Sequence, residues 1–477
     1  MRYLLALLVI QSWMLNGVAH ADYIATVSDD SRIYTAQSNG DGTWQPLEFS
    51  EDIGNLTRGV AIADFDGDDE FDLLTGYGNI PAQQLFLFPR VSGVFKAPIY
   101  LGPVGDSTFS SGSYPEDMAA EDFNNDGRMD IIVNGDSANT WYGENTGPLV
   151  TVPENFFASD FETGNEGWGG QVTRTSLVRD DTTAASGTWS MRVFATGTPT
   201  MLSIDINPSN WFLSRGSTVR FDYRIPPGVP AGLLFNVSGR DWIWLGGAPA
   251  GDPGTFTVAP GAVTLTDDDT WRSVEINVYE LIREVWPEAS LVTEFEWWTN
   301  NNAVNGQQFW FDDFRITRPR MTSGFDFTLL PSTGGNGRGM DAADANGDGN
   351  MDFARARTSS GYIYLYTGDG DGNFTPSVSQ VADPGSDPYG VLLKDFDNDG
   401  VADLIGNNNG SGDPSFFKGN GDGTFAAGIY IGSLDTNNYT SLGAYDFDDD
   451  GNMDVVASTY TSLQVWYYPG NGDGTFG

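Results

Sequence analysis

"KDFDNDGVADLIG", residues 394 to 406, places four aspartates within nine positions. Two unit charges about 4 Å apart repel each other by about 4 kcal/mol, even at an effective dielectric constant of about 20. A folding chain accepts such a cluster when a bound cation neutralises it. The stretch therefore predicts a loop that binds a metal ion, and the apolar residues after the fourth aspartate predict a β-strand.

The same pattern occurs at four further places, which identifies it as a repeat. The other copies are "ADFDGDDEFDLLT" (63–75), "EDFNNDGRMDIIV" (121–133), "ADANGDGNMDFAR" (343–355) and "YDFDDDGNMDVVA" (445–457). Their first aspartates stand at positions 64, 122, 344, 395 and 446, which gives intervals of 58, 222, 51 and 51 residues. We number the loops one to five along the chain, and the positions in each loop from its first aspartate. A period of about 50 residues with short strands is typical of β-propellers.

Positions 1, 3, 5 and 9 of every loop are aspartate or asparagine, whereas position 7 varies freely. This pattern indicates side-chain oxygens at the four restricted positions and a backbone carbonyl at position 7. An all-oxygen set suits Ca²⁺, which accepts many oxygens flexibly, better than Mg²⁺, which requires stricter geometry. We therefore expect a Ca²⁺ site in each loop. The predicted ligands are Asp64, Asp66, Asp68, Glu70 and Asp72 in loop one; Asp122, Asn124, Asp126, Arg128 and Asp130 in loop two; Asp344, Asn346, Asp348, Asn350 and Asp352 in loop three; Asp395, Asp397, Asp399, Val401 and Asp403 in loop four; and Asp446, Asp448, Asp450, Asn452 and Asp454 in loop five.

Two other interpretations fit these loops less well. An EF-hand requires a glutamate at position 12 and flanking helices, whereas these loops have no glutamate there and continue into apolar, often β-branched residues. Polar turns with solvated charges would also contain aspartates. Five copies in one register are difficult to obtain from turns alone.

Composition restricts the partners and the chemistry of the protein. The 477 residues include 23 lysines and arginines against 65 aspartates and glutamates, a net charge of −42. This acidity argues against nucleic acid as a partner, because nucleic-acid binding requires basic patches. The chain has no cysteine, so an exported protein of this sequence needs a stabilising feature other than disulfide bonds.

The first 21 residues, "MRYLLALLVIQSWMLNGVAHA", predict a signal peptide that is cleaved between Ala21 and Asp22. They contain one cation, a short apolar region and a small-residue cleavage motif, and a buried N-terminal helix is the alternative interpretation. The apolar region is too short to span a bilayer, and no later segment could span one. We therefore expect a secreted protein, either extracellular or periplasmic, or one held at the cell surface.

A second marker recurs in phase with the loops, in the form of glycine-rich turns. These are "SNGDGTW" (38–44), "TGDGDGNF" (367–374) and "GNGDGTF" (419–425 and 470–476). Asn-Gly and Asp-Gly between aromatic runs predict hairpins. The pair "DFDNDGVADLI" and "GNGDGTF" resembles the FG-GAP/VCBS repeats of integrin-α-like β-propellers, over residues 22–147 and 321–477. The resemblance implies an all-β fold with structural calcium in the loops and ligands on the opposite propeller face.

The number of blades follows from the repeat and its ends. Residues 22–53 match three strands of a blade without its first strand, and residues 436–477 lack an outer strand. With four complete blades, six positions in the ring is the simplest count, and seven applies if the C-terminus is incomplete. Loop one departs from the pattern, because Asp69 stands at position 6, where the other loops have glycine. We expect weaker binding or a distorted turn there.

The long interval of 222 residues predicts a domain inserted over residues 148–320, in the turn before the outer strand of a blade. Its opening "SDFETGNEGW" (159–168) and its ending "QQFWFDDFRI" (307–316) resemble a β-sandwich jelly-roll carbohydrate-binding module. In that family an acid near each end helps to hold a structural calcium. The resemblance therefore implies Glu162 and Asp312 as ligands, with Asp313 as the substitute for Asp312, and hence one further Ca²⁺ site.

Tryptophans of the insert are candidates for a sugar-binding platform. Trp242 and Trp244 stand two apart on a predicted strand, so their side chains share one face. The alternative is that both fill the core of the domain, because aromatic side chains are usually stabilising through burial.

Two classes of function compete. One is a calcium-stabilised binding or adhesion protein that recognises a polysaccharide, a cell-surface glycan or a protein ligand on a propeller face. The other is a polysaccharide lyase or glycoside hydrolase on a propeller scaffold. His20 is the only histidine and the chain has no cysteine, so the mature chain would lack the commonest general base and any thiol nucleophile. The sequence therefore favours a binding protein without catalytic residues, and it leaves open a lyase that uses tyrosine or lysine.

Overall fold

The structure is a computed structural model, and the residues that it describes are all-β apart from one helix. It describes the backbone of residues 6–9, 23–27, 32–37 and 49–52, and residues 57–77, 84–103, 115–135, 139–163, 175–195, 202–204, 211–213, 216–240, 242–248, 256–287, 289, 291–298, 306–357, 361–377, 381–382, 388–408, 414–431, 439–448, 450–459 and 465–477. The chain divides into two compact units. The larger includes residues 57–151 and 321–477, and the smaller includes residues 152–320.

An N-terminal sheet precedes loop one. Its strands are β1 (Ala6–Val9), β2 (Tyr23–Val27), β3 (Arg32–Gln37) and β4 (Phe49–Asp52). β1 pairs antiparallel with β2, and it lies within the predicted signal peptide. The pairing therefore belongs to the uncleaved chain, and cleavage stays a prediction. The predicted turn at 38–44 lies outside the described residues.

We call each group of successive antiparallel strands around a loop a blade, as a label only, and the first complete blade carries loop one between its first two strands. It consists of β5 (Thr57–Ala63), β6 (Asp72–Tyr77), β7 (Gln84–Phe88) and β10 (Ile99–Pro103), with the small hairpin of β8 (Arg90–Val91) and β9 (Val94–Phe95) between the last two. Leu73 and Leu74 are both fully buried although they point to opposite faces. The blade is therefore covered on both faces, which explains why its strands are apolar rather than alternating.

The second blade begins with β11 (Pro115–Glu121), β12 (Asp130–Gly135) and the long strand β13 (Thr140–Ser159). β13 carries the chain from the larger unit into the smaller one. The smaller unit contains β14 (Thr175–Asp180), β15 (Ser190–Ala195), β16 (Leu202–Ile204), β17 (Trp211–Phe212), β18 (Thr218–Arg224), β19 (Gly232–Val237), β20 (Trp242–Gly247), β21 (Thr257–Thr264), β22 (Arg272–Asn277), α1 (Val278–Val285) and β23 (Leu291–Trp298). Among the described residues, no helix is long and apolar enough to cross a membrane.

The returning strand β24 (Gln308–Leu329) belongs to both units. Its first part pairs with β15 and β18 in the smaller unit. β24 also pairs with β13, and the Leu330 amide donates to the Thr140 carbonyl at 2.9 Å. The end of β24 is thus the fourth strand of the second blade, so this blade is completed only after the residues of the smaller unit.

Three further blades follow in the larger unit. They are β25 (Gly337–Ala343), β26 (Asp352–Arg357), β27 (Tyr362–Gly368) and β28 (Phe374–Pro376), with β29 (Val381–Ala382) beside β27; then β30 (Pro388–Lys394), β31 (Asp403–Asn408), β32 (Ser415–Phe417) and β33 (Ile429–Tyr430); then β34 (Tyr439–Tyr445), β35 (Asp454–Thr459) and β36 (Val465–Tyr468). The ring count of six or seven stays a prediction.

Aspartates on the first strands connect consecutive blades. The Met340 amide donates to Asp117 Oδ2 at 2.9 Å, which joins β25 to β11. The Leu393 amide donates to Asp341 Oδ2 at 2.8 Å, which joins β30 to β25 in the same way. Apolar clusters fill the space between neighbouring blades. Phe374, for example, packs edge-on against Phe123 at 5.6 Å between ring centroids.

The smaller unit is a β-sandwich with its own aromatic core. β14, β15, β18, β22 and part of β24 lie in one sheet, and β16, β17, β19, β20, β21 and β23 in the other. Phe221 and Trp297 meet across the sandwich at 5.0 Å between ring centroids, and Phe295 and Phe314 meet at 5.1 Å. All four side chains are fully buried.

We predict that residues 150–320 fold when expressed alone. The reason is that the buried aromatic core contacts residues of the same unit, and the two end strands lie in one sheet. Circular dichroism should show a β-rich spectrum and a cooperative thermal transition. A soluble fragment without such a transition would contradict the prediction.

Candidate metal centres

The five loops share one hydrogen-bond pattern. In every loop the position-1 carboxylate accepts the amide of position 6, at 2.9 Å in loop one and at 2.8 Å in the others. In every loop the position-5 carboxylate accepts the amide of position 7, at 2.8 to 2.9 Å. The backbone therefore orients these carboxylates in the same way five times.

Turn geometry explains the glycines at position 6. Gly127, Gly349, Gly400 and Gly451 have φ between 85° and 89°, a region that L-residues with a side chain avoid. Asp69 has φ 67° at the same position. The turn of loop one is thus formed as in the other loops, but by a residue for which that conformation is unfavourable.

Three loops bring carboxylates together tightly enough to hold a metal ion. One ligand oxygen from each member lies within 4.8 Å of the others in three groups: Asp64, Asp66 and Asp72; Asp395, Asp397 and Asp399; and Asp446, Asp448 and Asp454. Loops two and three have asparagine at position 3, and Asn124 and Asn346 each donate to the position-5 carboxylate of their own loop, at 3.2 and 3.0 Å. Their sites therefore carry one fewer negative charge.

The position-9 aspartate is fully buried in all five loops. One of its oxygens accepts the amide of position 2, and the other accepts an amide within the third strand of the blade or up to two residues after it. In loop four these donors are Phe396 and Gly419, at 3.0 and 2.8 Å from Asp403. Besides its predicted role as a ligand, this residue therefore fastens the loop to the blade.

Burial makes the position-9 charges costly without a cation. It raises the pKa of Asp72 to about 8, against the opposing effect of hydrogen bonds from Arg90 and Phe65. It also raises the pKa of Asp130, Asp352 and Asp403 to about 6. The pKa of Asp66 is raised as well, first by burial and then by repulsion from Asp68 and Asp64. A positive charge in these loops would favour the ionised carboxylates.

Loop four provides a direct test of whether a cation fits. The Asp397 side chain is 9% exposed, and its Oδ1 atom is buried without a hydrogen-bond partner among the described residues. A buried carboxylate oxygen without a partner is unfavourable. Together with the neighbouring carboxylates it forms an all-oxygen donor set, which fits a hard cation such as Ca²⁺.

Side chains at position 7 make contacts that sequence reasoning did not anticipate. Glu70 accepts the amides of Ser92 and Gly93 in the β8–β9 turn, at 2.6 and 2.7 Å. Asn350 and Asn452 each accept from the position-4 asparagine of the preceding loop, Asn125 and Asn398, at 2.9 and 2.8 Å. Position 7 thus varies because its side chain adapts to different neighbours.

Two loops contain a side-chain cation. Arg128 at position 7 of loop two pairs with Asp126 and donates to the Asn145 carbonyl. Lys418, which the sequence analysis missed, pairs with Asp397 and Asp399 of loop four. The signal in the sequence that could have identified Lys418 is its position as a single cation between an apolar strand and an acidic turn.

The acids predicted in the insert meet at one loop. Glu162 Oε1 accepts the amides of Thr188 and Trp189 at 2.8 Å. The buried Asp312 accepts those of Ala185 and Ser186 at 3.0 Å. Asp313 pairs instead with Arg315. The structure thus favours Asp312 over Asp313 as the inward acid, while metal binding by Glu162 and Asp312 stays a prediction.

The two candidate tryptophans differ in exposure. Trp242 and Trp244 lie on one face of β20, where Leu234 is opposite Trp244 and the half-buried Phe256 packs against the same cluster. Trp244 is only 5% exposed, and its ring covers Gly232 and Gly247, where any Cβ would lie 1.7 and 2.3 Å from it. This burial fits the core alternative for Trp244. Trp242 is half-buried, so the platform hypothesis applies to it alone.

Comparisons with known proteins identify the repeat in part of the chain. The family described as FG-GAP-like repeat matches residues 344–406 and 395–457, which contain loops three to five. Cartilage acidic protein 1 of Xenopus tropicalis is 31% identical over 149 residues. That match covers 29% of this chain and 22% of the relative, so it spans less than a quarter of the relative's length.

Similar solved structures have low scores. An Agrocybe aegerita lectin that recognises non-reducing terminal N-acetylglucosamine has a TM-score of 0.36 and 16% identity, covering 96% of this chain and 89% of the lectin. The V. cholerae biofilm matrix protein Bap1 has a TM-score of 0.29 and 11% identity, covering 99% and 88%. The function proposed below does not depend on these likenesses.

We predict that Asp69→Gly stabilises the protein by about 0.5–1 kcal/mol, because glycine adopts the left-handed turn without strain. Thermal melts at saturating calcium measure the change. Asp69→Asn is the matched control, since it removes the charge and keeps a side chain. Gly400→Ala should destabilise by about 1 kcal/mol for the converse reason. The added Cβ would meet nothing within 4 Å, so the loss would come from the backbone conformation and not from a clash. A loss of stability in Asp69→Gly would contradict this account of the turn.

Proposed function

We propose that this chain is an exported calcium-binding protein that acts in glycan binding or adhesion. The observation that carries the calcium part is loop four, where three carboxylates converge within 4.8 Å and a buried oxygen of Asp397 has no partner among the described residues. Loops one and five hold comparable groups of carboxylates. The FG-GAP-like repeats found over loops three to five support the same assignment.

Calcium would be held by the side chains at positions 1, 3, 5 and 9 and by the carbonyl of position 7. Bound there, it supplies the positive charge that offsets carboxylate repulsion and the cost of burying position 9. Because position 9 also binds the third strand of each blade, calcium would stabilise whole blades as well as the loops. A sixth site would use Glu162 and Asp312 in the insert.

We assign glycan recognition to the insert. Its resemblance to carbohydrate-binding modules supports this, and so does the half-buried pair of Trp242 and Phe256 on one face of its second sheet. Aromatic rings of this kind stack on sugars through their apolar faces. A protein ligand on a propeller face is the alternative partner. Polysaccharide cleavage is the alternative function, and release of unsaturated products or reducing ends from a polysaccharide panel would reveal it.

We predict that calcium contributes strongly to stability. Ligand at about 100 times its dissociation constant stabilises by roughly 2.7 kcal/mol per site. EDTA should therefore lower the thermal midpoint by many degrees, and Ca²⁺ should restore it better than Mg²⁺. Asp448→Asn tests one loop, because it removes one ligand charge and should reduce the calcium-dependent gain. An identical thermal midpoint in EDTA and in Ca²⁺ would refute the calcium proposal.

We predict opposite outcomes for the two tryptophans of the insert. Trp242→Ala should abolish glycan binding by residues 150–320 on a glycan array and leave the thermal midpoint nearly unchanged. Trp244→Ala should destabilise the fragment by about 3–5 kcal/mol, as truncation of buried aromatic side chains does. If the folded fragment binds no glycan while the intact chain does, recognition lies outside the insert.

A further inference from the structure

The Lys418 side chain extends from the end of the third strand of its blade to the carboxylates of loop four in the same blade. It follows β32, and its ammonium donates to Asp399 Oδ2 at 2.6 Å and to Asp397 Oδ2. The lysine side chain is 46% exposed, whereas that of Asp397 is 9% exposed. The ammonium thus reaches from solvent into the group of carboxylates that would hold the metal ion.

The lysine satisfies this group only in part. It binds one oxygen of Asp397, while the other oxygen stays buried and without a partner among the described residues. An ammonium donates three hydrogen bonds from a single point. Ca²⁺ accepts six to eight oxygens and could therefore bind the oxygen that the lysine leaves unsatisfied.

The equivalent residue carries no positive charge in the other loops. Lys418 immediately precedes the amide that binds the position-9 aspartate, namely that of Gly419. The residues at this point in loops one, two, three and five are Pro89, Glu144, Thr367 and Pro469. Loop five has the same four aspartates at positions 1, 3, 5 and 9 as loop four, so it is a natural comparison without the lysine.

We propose that Lys418 is a built-in competitor of the divalent cation at loop four. Without calcium, its ammonium neutralises Asp397 and Asp399 and keeps the loop folded. Calcium binds there only by displacing the ammonium, so loop four binds more weakly than loop five and its blade depends less on calcium. This inference rests on the proposed function, since it assumes that the loops bind calcium.

Calorimetric Ca²⁺ titration and thermal melts of the intact chain test the competition. Lys418→Met removes the charge and keeps the length, and we expect one calcium site to tighten by about tenfold, the effect of losing a pair of exposed ion contacts. Its midpoint should fall in EDTA and match the wild type in saturating Ca²⁺. Lys418→Arg keeps the charge and should retain wild-type affinities. Thr367→Met, at the equivalent point of loop three, should change neither the calcium affinity nor the thermal midpoint.

A substitution that adds a lysine at another loop tests the same competition, and its result does not depend on whether the Lys418 variants fold. Thr367→Lys introduces an ammonium beside loop three and should weaken one calcium site while raising the midpoint in EDTA. If Lys418→Met lowers the midpoint equally in EDTA and Ca²⁺ without tightening any site, Lys418 is an ordinary ion pair and the inference is wrong. If neither wild type nor variant binds calcium, the proposed function itself is wrong.

Discussion

A buried carboxylate at position 9 is the constraint on which each blade depends. It joins the start of the loop to the third strand or the residues just after it through two amide hydrogen bonds, and it does so in all five loops. A charge removed from water is stable only when it is well bonded and balanced. The amides provide the bonds, and the first part of the loop holds the site where a cation can provide the balance.

This arrangement explains why so acidic a protein can have many carboxylates in contact. The acids are not spread for solubility alone, because they are gathered at the same point of each repeat. Position 1 organises the turn, position 5 fixes position 7, and position 9 ties the loop to the blade. The same groups that shape the loop therefore form the candidate cation site, so binding of an ion there would be coupled to folding.

The loops are not equivalent, although their sequences are similar. Loop two contains Arg128 and loop four is reached by Lys418, and loops one and five each group three carboxylates. Asparagine at position 3 lowers the charge of loops two and three. A single protein thus contains several solutions to one electrostatic problem, and the individual sites should differ in affinity and in their effect on stability.

The sequence alone determined the repeat, its register and the all-β fold, because these features depend on local patterns. Restricted positions 1, 3, 5 and 9, glycine at position 6 and apolar strands are each readable within a dozen residues. Only the tertiary structure decided which acid of the pair Asp312 and Asp313 faces inward, that Trp244 is buried over two glycines, and that Lys418 reaches loop four. These outcomes depend on the pleat of a strand and on side chains from distant parts of the chain. A one-dimensional pattern does not specify such contacts, because packing and charge select them only when the strands are side by side.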